Sequence, residues 1–110
     1  MKQKNGKKIF IVGAGEIGQN LAKQLAHAGY EVTIIDQSEE VVNNLGNNID
    51  AICFQGNGAA YGTLKDVNAG TADMFIAVTE FDELNILSCF TAHMLGAKHT
   101  IARIRESDYD

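Results

Sequence analysis

The sequence predicts an α/β fold: a doubly wound parallel sheet in strand order 3-2-1-4-5, forming the middle of a three-layer αβα sandwich. Three observations predict it. Short apolar runs alternate with segments of helical period along the chain. The first run, Ile9-Phe10-Ile11-Val12, passes directly into Gly13-Ala14-Gly15-Glu16-Ile17-Gly18, which opens a helix. A second run, Val32-Thr33-Ile34-Ile35, closes on Asp36, 23 residues after Gly13, and completes a βαβ unit. Short connections and right-handed crossovers then fix the strand order.

Taken in order, the first strand spans 7–12, and its unbroken apolar character marks a central strand covered on both faces. The helix over 16–28 sets Ile17, Leu21, Ala22, Leu25 and Ala26 at helical spacing, and Gly29 ends it. The second strand covers 31–36. Ser38 is an N-cap with Glu39 and Glu40 in the first turn, where the helix dipole favours them. Val41, Val42 and Leu45 form that helix's apolar face, and Gly46-Asn47-Asn48 stops it. A third strand, 51–55, ends in Gly56-Asn57-Gly58; a short helix over 60–68 turns Tyr61, Leu64 and Val67 inward and closes at Gly70. The fourth strand, 74–78, ends at Thr79.

The helix over 82–95 starts with Asp82 and Glu83 and stops at Gly96. It carries Leu84, Leu87, Thr91, Met94 and Leu95 on one side and Ile86 and Phe90 on the other. One stripe suffices to pack on a sheet, so the surplus is either a partner surface or buried within the fold. The fifth strand, 99–105, places Arg103 and Arg105 on one face, as ligand contacts or as solvated edge charges. Residues 1–6 form a flexible lead-in and 7–110 a single domain.

Composition bounds the function. At 110 residues the chain is long enough for a packed core and short for a complete enzyme. A net charge of −5 argues against nonspecific nucleic-acid binding and against a polybasic membrane patch. No apolar run approaches the roughly 18–20 residues that span a bilayer. The basic start is followed by too short an apolar stretch for a signal peptide. Cys53 and Cys89, far apart, read as buried free thiols of a reducing, cytosolic compartment.

The glycine segment carries the chemistry. Gly13 permits the tight turn, Gly15 lets backbone approach a pyrophosphate, and Gly18 lets helix and strand pack closely. Amides near Glu16 and Ile17 sit at the positive end of the helix dipole, where a phosphate gains roughly 0.3–1 kcal/mol. Asp36 can accept hydrogen bonds from both ribose hydroxyls of an adenosine. Its successors Gln37 and Ser38, with no arginine nearby, disfavour a 2′-phosphate. Ligands of such sheets lie over the carboxyl ends of the strands at the switch point. That adds the tips after strand three (Asn57, Gly58), strand four (Thr79, Glu80) and strand five (Arg103, Arg105). No metal-ligand motif and no nucleophile–base pairing is visible. His27, His93 and His99 fall away from the crevice, so the expectation is binding without catalysis.

The segments IVGAGEIGQNLAKQL, VTIID, GNGAAYGTLKDVNAG, ADMFIAVTEFDELNILSC and GAKHTIARIR together resemble the nucleotide-binding regulatory domain of Trk/Ktr-type potassium-uptake systems, known as the TrkA-N, KTN or RCK domain. The most discriminating residues are Gly56-Asn57-Gly58-Ala59, Ala77-Val78-Thr79 with Asp82, Glu83 and Asn85, and Ala102-Arg103-Ile104-Arg105. The resemblance implies a Rossmann-like, non-catalytic cytosolic subunit on the inner face of the cell membrane. It would dock on a membrane potassium transporter and assemble as a homodimer or higher ring. It would gate transport through bound NAD(H), with ATP, ADP or AMP as alternatives. Gly13, Gly15 and Gly18 would hold phosphates, Asp36 the adenosine ribose, Asn57 and Gly58 the adenine. Thr79 would line the floor under the second half of the ligand, and Arg103 would reach toward phosphate. Two residues depart from the family pattern. Glu16 stands where a basic residue accompanies ATP preference and would repel a terminal phosphate, which favours NAD(H). Phe81 replaces a small polar residue. Because the family's chains run further, the chain reads as a fragment ending at Asp110.

Two rival readings compete with the regulatory module. One is the cofactor-binding half of an NAD-dependent oxidoreductase cut before its catalytic domain, which leaves the DELN and ARIR segments unexplained. The other is a dimerisation scaffold with a vestigial site, built on the apolar surface of 84–95.

Overall fold

In the computed structural model, which describes residues 6–106, the alternation of apolar and helical-period segments becomes an alternation of strands and helices. The elements are β1 (Lys8–Val12), α1 (Glu16–His27), β2 (Glu31–Asp36), α2 (Glu39–Gly46), β3 (Ile52–Gln55), α3 (Tyr61–Asp66), a 3-10 turn at Ala69–Thr71, β4 (Met74–Ala77), α4 (Asp82–Leu95) and β5 (Thr100–Ala102). All pairings are parallel and the order is β3-β2-β1-β4-β5, as expected. Lead-in residues 1–5 and domain-end residues 107–110 lie outside the described residues.

β1 is central because both of its faces are apolar. Phe10 and Val12 join Ile35, Phe75, Ala77, Leu64, Cys89 and Ala92 under α3 and α4. Ile9 and Ile11 join Val32, Ile34, Ala22 and Leu45 under α1 and α2. Each fully buried side chain of this size contributes about 1.5–3 kcal/mol of hydrophobic stabilisation. In register, Val12 stands beside Ile35 and Ala77, so the tips of β1, β2 and β4 finish level, and the loops after them share one edge of the sheet.

Three expectations are corrected. First, Tyr61 does not turn inward. It is 59% exposed, with the Lys65 ammonium 5.9 Å from its ring centre, while Leu64 alone of that trio is fully buried. The helix there is also shorter than 60–68 and is followed by the 3-10 turn. Second, of the two readings of α4's apolar surplus, burial within the fold fails: Leu95 packs partly buried on the core, but most of the large apolar residues do not. The helix's buried stripe is Asp82, Asn85, Ser88, Cys89 and Ala92, while Ile86, Leu87, Phe90 and Met94 are exposed. Small residues at this spacing let the helix sit close to β4 and β5, and its polar groups find partners: Ser88 Oγ donates to Gly58 O and Cys89 Sγ to Ile101 O at 3.3 Å. Third, β5 ends at Ala102 rather than 105. Beyond Arg103 N, which still donates to Ala77 O (2.9 Å), β4 offers no further backbone. The chain is bonded instead to side chains of α4: Asn85 Nδ2 donates to Arg103 O (2.9 Å), and Asp82 accepts from Arg105 N (3.0 Å) and Glu106 N (2.7 Å). Arg103 and Arg105 are therefore not strand neighbours on one face.

Both cysteines are free; Cys89 is buried, but Cys53 is only partly so, against the expectation for it. No helix among the described residues is long and apolar enough to cross a membrane.

Candidate functional site

The carboxyl ends of β1, β2, β4 and β5 surround a cleft of about 690 Å³, within the size range of small-molecule sites. Its centre is the glycine turn. Gly13 has φ +109°, a conformation that side-chain-bearing residues rarely adopt, and a Cβ there would press on the backbone of Val78 and Thr79. A Cβ on Gly18 would collide with the Gly13 carbonyl, so the third glycine is fixed by packing of α1 on the turn. At Gly15, by contrast, a Cβ would meet nothing within 4 Å. Here the backbone borders open cleft, leaving a ligand room to approach it. Helix α1 makes its first bond from Gln19 N to Gly15 O (2.9 Å). The amides of Glu16, Ile17 and Gly18 precede that bond and have no intrahelical acceptor.

Asp36 faces this turn from the end of β2. Its Oδ1 accepts from Ala14 N and its Oδ2 from Ser38 N, both at 3.0 Å. Each oxygen keeps a further lone-pair direction. The carboxylate is thus held in place by backbone before any ligand arrives. On the opposite side, the β4 tip is fixed by Asn85, fully buried on α4. Asn85 Oδ1 accepts from Thr79 N (2.9 Å) and Thr79 Oγ1 (2.7 Å), and its Nδ2 donates to Thr79 O (3.0 Å) and Arg103 O (2.9 Å). Every buried side-chain nitrogen and oxygen among the described residues has a hydrogen-bond partner.

Of the residues singled out in sequence, Gly13, Gly15, Glu16, Ile17, Asp36, Gln37, Gly58, Thr79, Glu80 and Arg103 line this one cleft. Gly18 and Asn57 do not. Gly18 lies beneath the turn, and the Asn57 side chain is turned into its own loop, accepting from Ala59 N at 2.9 Å. The cleft is also lined by Arg105, singled out at the tip of strand five, and further takes in Ser38, Val41, Gly56, Phe81 and Leu84. Ser38, read in the sequence as a helix cap and as a successor of Asp36, performs the capping role by accepting from Val41 N (3.2 Å). Arg105 reaches the cleft because Asp82 turns the chain after β5, and its Nη1 lies 3.4 Å from Glu80 O. Asp82 and Asn85, which organise this side, stand in the sequence as a helix-start acid and as members of the discriminating segment after Thr79, but nothing there assigns either of them a bond to the chain after β5. No group of three or more metal-ligating side chains occurs among the described residues.

The TrkA-N domain model matches residues 9–110. The chain belongs to the TrkA-N domain family. The resemblance carried by residues 8–105 is thereby borne out. This TrkA-N domain is 35% identical over 102 residues to the Trk system potassium uptake protein TrkA homolog of Methanothermobacter thermautotrophicus, across 93% of the chain and 47% of that relative. Against the Trk system potassium uptake protein TrkA of Halomonas elongata it is 37% identical over 103 residues, 93% of the chain and 22% of the relative. The chain thus spans about half of the first relative and under a quarter of the second. Among solved structures, the GsuK channel bound to NAD superposes with a TM-score of 0.82 at 17% identity, covering 99% of this chain and 20% of the other. The AMP-bound C-terminal domain of Kef from Shewanella denitrificans gives 0.70 at 23%, covering 86% and 57%. At these identities the likeness establishes the Rossmann-like fold.

Proposed function

We propose that this TrkA-N domain is the nucleotide-sensing module of a Trk-type potassium-uptake system, binding NAD(H) or an adenine nucleotide without transforming it. The observation that carries the reading is Asp36, held by Ala14 N and Ser38 N so that its carboxylate faces the glycine turn. The adenosine ribose would lie on Asp36, the phosphates over Gly15 and the first amides of α1, and the adenine toward Gly58. Thr79 and Glu80 border the remaining space, and Arg103 supplies positive charge for phosphate. NAD(H) is favoured over ATP because Glu16 lines the phosphate region and would oppose a terminal phosphate; ADP and AMP carry less of that penalty. Asp36 opposes the 2′-phosphate of NADP for the same reason. The relatives' identity as Trk system potassium uptake proteins supports potassium uptake over the oxidoreductase alternative.

In this reading the parent protein lies in the cytoplasm against the inner face of the membrane, docked on the transporter's membrane subunit. It would be a dimer or larger ring, the exposed face of α4 covering a second copy. Calorimetric titration with NADH, NAD, AMP, ADP, ATP and NADPH tests the core of the proposal. NADH binding tighter than ATP and NADPH is expected; no binding of any of the six refutes it.

A further inference from the structure

Phe81 is the residue whose place in the fold its own helix does not explain. It is the N-cap of α4, yet its side chain caps nothing, at a position where Ser, Thr, Asp or Asn adds about 1 kcal/mol. Nor does it serve the core, since it is 62% exposed. Its backbone is nonetheless tightly held. Phe81 N donates to Thr79 Oγ1 (3.1 Å) and Phe81 O accepts from Asn85 N (3.0 Å). The ring therefore projects from a fixed mount. It lines the main cleft beside Thr79, Leu84 and Arg105, and also borders a neighbouring hollow with Glu80 and Glu83.

The sheet order says which part of a ligand could reach it. Neighbouring strands lie about 4.8 Å apart, so the β4 tip is about 10 Å from the β2 tip, and β5 is about 14 Å away. A nucleotide whose ribose sits on Asp36 and whose phosphates sit at the start of α1 extends as far as β1. Only a ligand with a further moiety beyond its phosphates reaches the β4 loop. That end of the cleft is lined by Phe81, Leu84, Arg103 and Arg105, a lining suited to a second ribose carrying a planar heterocycle.

We propose that Phe81 is the wall against which the second base of a dinucleotide stacks, making it the residue that selects dinucleotides over mononucleotides. This rests on the nucleotide-binding reading above. The test is calorimetric titration of wild type, Phe81→Ala and Phe81→Tyr with NADH and, in parallel, with AMP, which lacks the second half. Loss of a base–aromatic stack predicts about a tenfold weaker NADH Kd for Phe81→Ala, an AMP Kd within about twofold of wild type, and near-complete retention by Phe81→Tyr. Unchanged NADH binding by Phe81→Ala overturns the proposal, as does an equal loss of AMP and NADH. Wild type binding AMP and NADH equally well refutes the selector while leaving the nucleotide reading intact; binding neither removes both. Sedimentation of the same variants adds one refuting outcome, a Phe81→Ala protein that loses self-association but keeps its NADH affinity.

Discussion

Replacing Asp36 by alanine separates two contributions that the structure assigns to one side chain. The first is ligand binding. Two of the carboxylate's lone-pair directions are taken by Ala14 N and Ser38 N, which leaves one per oxygen for the ribose hydroxyls. Hydrogen bonds to a charged group are worth about 1.5–3 kcal/mol, so NADH affinity should fall roughly 10- to 150-fold. AMP should fall by the same factor, because it shares the adenosine half. The second contribution is stability. The substitution strips the acceptor from Ala14 N, whose residue is 2% exposed, and from Ser38 N in a wetter position. A buried amide left without a partner costs about 1–3 kcal/mol, and water can enter the vacated space, so a loss near 1 kcal/mol is expected. That corresponds to a Tm drop of about 4–8 °C for a domain of this size. Titration below the lowered Tm, with NADH and AMP side by side, reads both effects. A folded Asp36→Ala protein with wild-type affinity for both ligands would remove Asp36 from the site and with it the central argument for nucleotide binding.

Three other outcomes follow from particular contacts. Asn85→Ala leaves Thr79 N, Thr79 O and Arg103 O without their partner; it should cost about 2–4 kcal/mol and move the urea midpoint down by about 1 M or more, and a loss below about 0.5 kcal/mol refutes the role. Burial pushes the Cys89 thiol up to about 11 from 9.0, against the opposing pull of hydrogen bonds to Ala77 and Ile101. The folded state therefore keeps a proton that the unfolded chain releases. This stabilisation is whole below pH 9 and is lost as pH rises toward 11. Urea midpoints should fall less steeply over that window in Cys89→Ala than in wild type, and parallel slopes would refute the assignment. If the exposed α4 face covers a second copy, Leu87→Asp with Phe90→Asp should convert a sedimenting dimer to monomer without changing far-UV circular dichroism; a wild-type protein that is monomeric at about 100 μM contradicts it.

What could be read from the sequence follows the range of the interactions that decide each feature. The βαβ unit from Ile9 to Asp36 is written locally: period, glycine turn and strand-ending carboxylate all lie within one crossover, and a central strand must be apolar on both faces. The far side of the cleft is decided elsewhere. Asn85 bonds across 18 residues to Arg103, Asp82 across 23 to Arg105, and Ser88 across 30 to Gly58. No periodicity encodes such pairs. A hydrophobicity pattern leaves open whether α4's large side chains are buried; the stripe that is buried is polar and is satisfied by backbone on both sides of it in the chain, Gly58 and Thr79 before and Arg103 to Glu106 after. The Asp82 bonds that hold the chain after Ala102 also aim Arg105 at the cleft, while the Phe81 mount is held by Thr79 and Asn85, which are bonded to each other. Two kinds of construction therefore meet in one site. The half facing Asp36 is built into the local turn and should tolerate changes in α4. The half facing Phe81 depends on α4 staying seated, so Asn85→Ala should weaken NADH more than AMP at a temperature where both the variant and wild type are folded. Equal losses would mean that the β4 tip holds its shape without Asn85.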